Sequence, residues 1–194
     1  MCLLLVPAAA QAADPAAVHE AAAGGDLERV QRLVVEGADV NASGAGGDSA
    51  LIVAALAGHG DIVNYLLQRG ADIGARNAHG LTALHAAAYA GHADIAALLL
   101  AKGAAADDSG NRFEVRPLHL AAEENHAGVV ALLLQHGADP GALEANGYSA
   151  LTRAGFREHW EVLEMLLAAG GACQDAGKVG EWLHGECSRR AGVN

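Results

Sequence analysis

Both ends of one sequence unit recur in this chain at a fixed interval, and that interval limits the fold more than any single motif does. The stretch LHAAAYAGHADI (84 to 95) lies over LIVAALAGHGDI (51 to 62), LHLAAEENHAGV (118 to 129), LTRAGFREHWEV (151 to 162) and, more loosely, VHEAAAGGDLER (18 to 29). Successive offsets are 33, 33, 34 and 33 residues. The same shifts superimpose GADVNA at 37, GADIGA at 70, GAAADD at 103, GADPGA at 137 and GGACQD at 170. A period of this length marks a stacked array, whose units are each too small to bury an apolar face alone and complete a core only against their neighbours.

Within one unit the residues read as helix, turn, helix and extended loop. Thr82 stands where an N-cap would, Leu84 and the alanines after it form a short first helix, and the Gly91-His92 step ends it. Asp94 then falls at the positive start of a second helix, with Ile95, Leu98 and Leu99 at helical spacing. Gly103 closes that helix, as Gly37, Gly70, Gly137 and Gly170 do in the other units, because a left-handed C-terminal residue costs glycine least. On one continuous helix His85 and His92 would share a face and could hold a metal. The break between them puts them on different elements, and their recurrence with the period makes them part of the frame.

With these residues in place the chain resembles the ankyrin repeats over about residues 14 to 175. The resemblance rests on the Thr-Pro-Leu-His-type turn, here TALH (82 to 85) and RPLH (116 to 119), on the Gly-His step, and on the GADVNA ending. It implies an all-α ankyrin-repeat solenoid of about five helix-turn-helix units with extended, hairpin-like loops. The units fall at 14–46, 47–79, 80–112, 113–146 and 147–175 within a domain over 13–175, followed by a C-terminal cap or tail over 176–194. The resemblance further implies that the turn histidines His19, His85 and His119 tie the first helices to neighbouring backbone, and that His59, His92, His126 and His159 of the Gly-His step are likewise frame residues.

Several positions depart from that pattern. Only Pro117 supplies the turn proline, with alanine at Ala50, Ala83 and Ala150. Arg116 replaces the threonine, while Ile52 and Thr152 replace the histidine, so those turns are expected to be less well tied. The third loop, DDSGNRFEVR (107 to 116), carries the one-residue insertion and lacks the glycine that precedes the next turn elsewhere. A tolerated insertion is its plainer explanation, a functional loop the other.

Composition bounds the function. A formal net charge of -11 leaves no basic cluster for a phosphate backbone, which argues against nucleic acid. No run of about 18 apolar residues is present, so no membrane span is expected. The opening MCLLLVPAAAQAADP has an apolar run followed by AQA (10 to 12), the pattern of a signal peptide over 1–12 with a mature chain from about Ala13. No basic residue precedes that run, and the alternative is an apolar lead into the first helix. Without Cys2 the chain keeps Cys173 and Cys187, an even pair suited to a disulfide in an oxidising compartment. With His184 the same cysteines offer three zinc ligands but no clear fourth. The chain has no G-x-S-x-G elbow, no H-E-x-x-H and no phosphate-binding glycine loop, so catalytic residues, metals and cofactors are not expected.

Binding remains, and the repeat places it. Two positions per unit vary while their surroundings hold: Ala23, Leu56, Tyr89, Glu123 and Phe156, and beside them Gly24, Ala57, Ala90, Glu124 and Arg157. On an ankyrin-like array these positions line a concave face, so Leu56, Tyr89, Glu123, Glu124, Phe156 and Arg157 are the candidate partner-binding residues. Arg76, Asn77, His79, Arg112, Phe113 and Tyr148 are their counterparts at the loop tips. The expected function is that of a monomeric, non-enzymatic scaffold for a protein partner, of bacterial type and exported to the periplasm or secreted. The alternatives are a cytoplasmic interaction or effector module and a metal-dependent enzyme at the C-terminal Cys/His cluster.

Overall fold

The computed structural model describes residues 15–44 and 46–192, so the signal-peptide reading of 1–12 lies outside the described residues. Five helix pairs follow the period: α1 (Pro15–Ala23) with α2 (Leu27–Val35), α3 (Ala50–Ala57) with α4 (Gly60–Gln68), α5 (Ala83–Ala90) with α6 (Ala93–Ala101), α7 (Pro117–Glu123) with α8 (Ala127–Gln135), and α9 (Ala150–Phe156) with α10 (Trp160–Ala168). Two further helices, α11 (Ala176–Val179) and α12 (Glu181–Arg190), close the array. First helices pack on first helices and second on second, unit by unit, giving the two layers of an ankyrin-type solenoid. The loops between units run out as hairpin-like tips, pinned by isolated antiparallel bridges between Ser43 and Ser49 and between Leu143 and Ser149. Among the described residues no helix is long and apolar enough to cross a membrane.

Units two to five each contribute the same apolar trio to a continuous core: Leu51, Ile62 and Leu66, then Leu84, Ile95 and Leu99, then Leu118, Val129 and Leu133, then Leu151, Val162 and Leu166, all buried. Alanines at Ala54, Ala87, Ala121 and Ala154 let adjacent first helices approach closely, which is why a chain so poor in aromatics still fills its interior. The break between the paired helices requires a left-handed residue. It is Gly58 (φ 84°) and Gly91 (φ 79°) in units two and three, but Asn125 (φ 62°) and Glu158 (φ 60°) in units four and five. A side chain at Gly58 would meet the ring of His92, and one at Gly91 the ring of His126, within 2.7 Å and 2.5 Å. Glycine there answers two demands, backbone sign and the ring of the following unit.

The histidines join the units as the frame reading requires. His85 accepts the Thr82 amide on Nδ1 at 3.3 Å and donates from Nε2 to the Val115 carbonyl of the next unit at 3.0 Å. His119 repeats this with the Arg116 amide (3.1 Å) and the Ala142 carbonyl (3.2 Å). His92, His126 and His159 reach back instead, to the carbonyls of Leu56 (3.2 Å), Tyr89 (3.0 Å) and Glu123 (2.9 Å).

Two turns expected to be loose are in fact tied. Arg116 lacks a threonine hydroxyl, yet its amide binds His119 and its guanidinium reaches the Leu143 carbonyl at 3.0 Å. Thr152 donates to Gln174 Oε1 at 2.5 Å, so a hydroxyl and a glutamine from the following segment replace the imidazole bridge. Ile52 makes no such bond; Ser49 caps its amide at 3.3 Å and its side chain is buried. The inserted loop is structural in the same way. Asp108 accepts from Arg76 at 2.9 Å, Asp107 pairs with Arg116 at 3.3 Å, and Glu114 adopts φ 53° where Gly80 and Gly147 stand in other units.

At the C-terminal end α12 covers the core that unit five would otherwise expose. Leu183 packs where a side chain at Gly155 would fall, the Trp160 and Trp182 rings meet edge to face at 5.9 Å, and Arg190 lies 4.6 Å over Trp160. Cys173 and Cys187 are joined as a disulfide with Cα atoms 5.8 Å apart.

Candidate functional site

The variable positions of the first helices sit together on the inner face, at the C-terminal ends of α3, α5, α7 and α9. Leu56 is 45% exposed, Tyr89 51% and Phe156 47%. These are large apolar side chains left to solvent at positions where the frame would accept any small residue. Between Leu56 and Tyr89 the face is hollowed into a groove of about 330 Å³, lined by Ile52, Leu56, Leu81, Ala86, Tyr89 and Leu120, with Thr82 and His85 at its floor and Asp48 and Asn77 at its rim. That volume is near the lower end of small-ligand pockets, which begin at about 300 Å³, and suits one or two apolar side chains.

Sequence reasoning found Leu56 and Tyr89 but missed Ile52, Leu81, Ala86 and Leu120. The signal was present. Ala86 and Leu120 lie one helical turn before Tyr89 and Glu123, on the same face, and Ile52 lies one turn before Leu56. Ile52 is therefore more than a departure from the turn histidine: it trades a bond between units for hydrocarbon in the groove.

His85 is held neutral beneath this surface. Burial lowers its pKa below the ordinary histidine value, and its acceptance of the Thr82 amide on Nδ1 assigns the remaining proton to Nε2. His119, under the neighbouring unit, is pushed down by burial to about 4.

The C-terminal half of the face is charged and closed on itself. Arg153 forms ion pairs with both Glu123 and Glu144, and Arg157 bonds Glu123 at 2.9 Å. The Glu144 side chain is only 2% exposed, so Arg153 is the cation that makes a buried carboxylate tolerable. Burial works against the charge on Glu123, but the Arg157 hydrogen bond and the Arg153 charge hold its carboxyl below the usual range. Phe156 does not stand alone either: Tyr148 meets it edge to face at 5.4 Å, and Lys178 lies 4.9 Å over the Tyr148 ring.

Glu123 and Arg157 are thus partners of each other before they are partners of anything else. Glu124 is exposed, and among the described residues it forms no ion pair. Among the loop-tip candidates, Arg76 is spent on Asp108 and the Gly80 carbonyl, and Asn77 closes its own hairpin through the His79 and Leu81 amides while donating to Asp48 at 2.9 Å. His79 is exposed, and Arg112 stacks 4.5 Å over the exposed ring of Phe113.

The Cys/His cluster at the C-terminus offers no ligand set for zinc. Its sulfurs are bonded to each other, and His184 Nδ1 bonds the Gln174 carbonyl at 2.9 Å. Among the described residues no group of three or more His, Cys, Asp or Glu side chains is arranged to hold a metal ion.

Comparison with known proteins agrees with this architecture. No curated protein matches the chain. A family model of ankyrin repeats in three copies matches residues 18–109, and a second, of ankyrin repeats in many copies, matches residues 99–154. Repeating helix pairs, histidine ties between units and these two overlapping matches lead to one conclusion: the chain belongs to the ankyrin repeat family.

Proposed function

We propose that this protein is a non-enzymatic scaffold that binds a protein partner through the groove of units two to four, in an oxidising compartment outside the cytoplasm. Ankyrin repeats are protein–protein interaction modules, and here the observation that carries the reading is the exposed Leu56–Tyr89 pair over an apolar groove. The frame does not need these side chains, and an exposed apolar surface is retained at a cost in solubility that a partner offsets. Affinity capture from the native host, with the wild-type chain and a Leu56→Ser/Tyr89→Ser chain as paired baits, tests it. A specific partner that both baits retain equally places the binding surface elsewhere.

The compartment rests on two independent features: the AQA pattern at 10–12 and the Cys173–Cys187 disulfide, a bond that reducing cytoplasm disfavours. N-terminal sequencing of the protein from its native host is expected to begin near Ala13. A chain beginning at Met1 with two free thiols points instead to a cytoplasmic interaction module.

A further inference from the structure

We infer that the groove's partner is a basic amphipathic segment, one that presents one or two aliphatic or aromatic anchors flanked by lysine or arginine. This rests on the groove being the binding surface proposed above, and adds the chemistry of what fills it. None of the residues lining the groove is a lysine or arginine, and Asp48 at its rim accepts from the side-chain amide of Asn77. The nearest loop cation, Arg76, is turned away to Asp108 and the Gly80 carbonyl.

Toward the C-terminal side, the three carboxylates Glu123, Glu124 and Glu144 face the two guanidiniums of Arg153 and Arg157. Both guanidiniums are bonded to Glu123 or Glu144, which leaves Glu124 as a solvent-facing anion beyond Tyr89. The concave surface therefore offers an incoming segment hydrocarbon at its centre and negative charge at two edges, while the guanidiniums of Arg153 and Arg157 are already held by Glu123 and Glu144. The whole chain, at a formal charge of -11, attracts the same sign of partner at long range. An acidic or neutral segment of equal hydrophobicity gains the apolar contact and loses the rest.

Three synthetic peptides test this against the full chain. They share one leucine pattern and carry lysine, glutamine or glutamate at every other position, and binding is followed by calorimetry and by amide shifts at low and at physiological salt. The lysine peptide is expected to bind at least tenfold more tightly than the glutamine peptide, to shift resonances around Leu56 and Tyr89, and to weaken as salt rises; the glutamate peptide is expected not to bind. Leu56→Ser/Tyr89→Ser, which leaves net charge unchanged, is expected to weaken the lysine peptide tenfold or more.

Equal binding of all three peptides, or preference for glutamate, overturns the inferred partner charge while leaving the groove as a binding surface. Lysine-peptide binding that the double substitution does not change is non-specific attraction to an acidic protein and overturns the inference too. The paired-bait capture reads the groove itself without reference to partner charge, so the two readings fail separately.

Discussion

Where unit three carries Tyr89 on the inner face, unit four carries Glu123, and where units two, three and four place Val53, Ala86 and Leu120 one turn earlier, unit five places Arg153. The backbone under these positions is the same. In the first half the variable side chains meet water and enclose a groove; in the second they meet one another and satisfy their own charges. A repeat thus fixes where a variable side chain points but not whether it is available. Availability depends on the residue that the neighbouring unit sets against it.

The comparison is broken most forcefully at Arg153. Replacing it with alanine strands the buried Glu144, leaving Glu123 to Arg157 alone, and is expected to cost about 4 kcal/mol in urea unfolding, because an uncompensated buried carboxylate must be neutralised or rehydrated. A loss below about 1 kcal/mol means the charged half is not held by this network.

Next in size is the disulfide. Cys173→Ser/Cys187→Ser is expected to lower stability by about 3 kcal/mol on the chain-entropy account. The effect should be confined to the charged end, with Trp160 and Trp182 fluorescence changing while amides around Tyr89 keep their shifts. Equal disturbance of both halves shows that the array responds as one cooperative body.

Acid sharpens the contrast through His119, whose pKa is about 4 in the fold and near the ordinary 6.5 when unfolded. Between those values the unfolded chain binds more protons. Stability is therefore complete above pH 6.5 and falls as pH drops toward 4, by about 2 kcal/mol between pH 7 and pH 5. His85 shifts in the same direction and adds to the slope. Thermal melts of His119→Gln across that range are expected to show a flatter profile; an unchanged slope assigns the acid sensitivity elsewhere.

Glu114→Gly is expected to stabilise by about 0.5 kcal/mol, since relief of the strain at φ 53° outweighs the larger unfolded-state entropy of glycine. The smallest effect on stability belongs to the groove. Leu56→Ser is expected to change unfolding free energy by less than about 0.5 kcal/mol, as an exposed position should, while reducing partner capture. A large destabilisation makes Leu56 a core residue that happens to show at the surface.

The period, the helix pairs and the broken step between His85 and His92 could all be read from the sequence, because each follows from spacing; Cys173 and Cys187 stood out as a candidate pair only with Cys2 set aside. The ion-pair network could not. Glu123 reads in the sequence as a candidate partner-binding residue, and what turns it inward is Arg153, thirty residues on, in the following unit. The insertion was legible as an irregularity, yet its physical content, two aspartates that hold Arg76 and Arg116, depends on contacts across units that no local pattern announces. The groove fell between these cases: Leu56 and Tyr89 were visible as variation, while Ala86 and Leu120, one turn before Tyr89 and Glu123, read as ordinary helix.

The histidines of the Gly-His step carry a consequence for how such a chain can change length. His92, His126 and His159 each bond a carbonyl of the unit before, and His92 and His126 cover the left-handed Gly58 and Gly91, while the turn histidine His85 bonds a carbonyl of the unit after it. The boundary between units three and four is thus written in both directions, by His85 to Val115 and by His126 to Tyr89, 30 and 37 residues apart. Duplicating or excising a whole unit copies or removes both halves of each bond together, so growth by complete units leaves no mismatched seam. A shift of one residue inside a helix pair would misalign a donor with its acceptor at both neighbouring seams. The single extra residue of the array lies at 107–110, in the outer loop between Gly103 and Asn111 and outside every helix, so the His85 bond to Val115, which spans it in sequence, is still made.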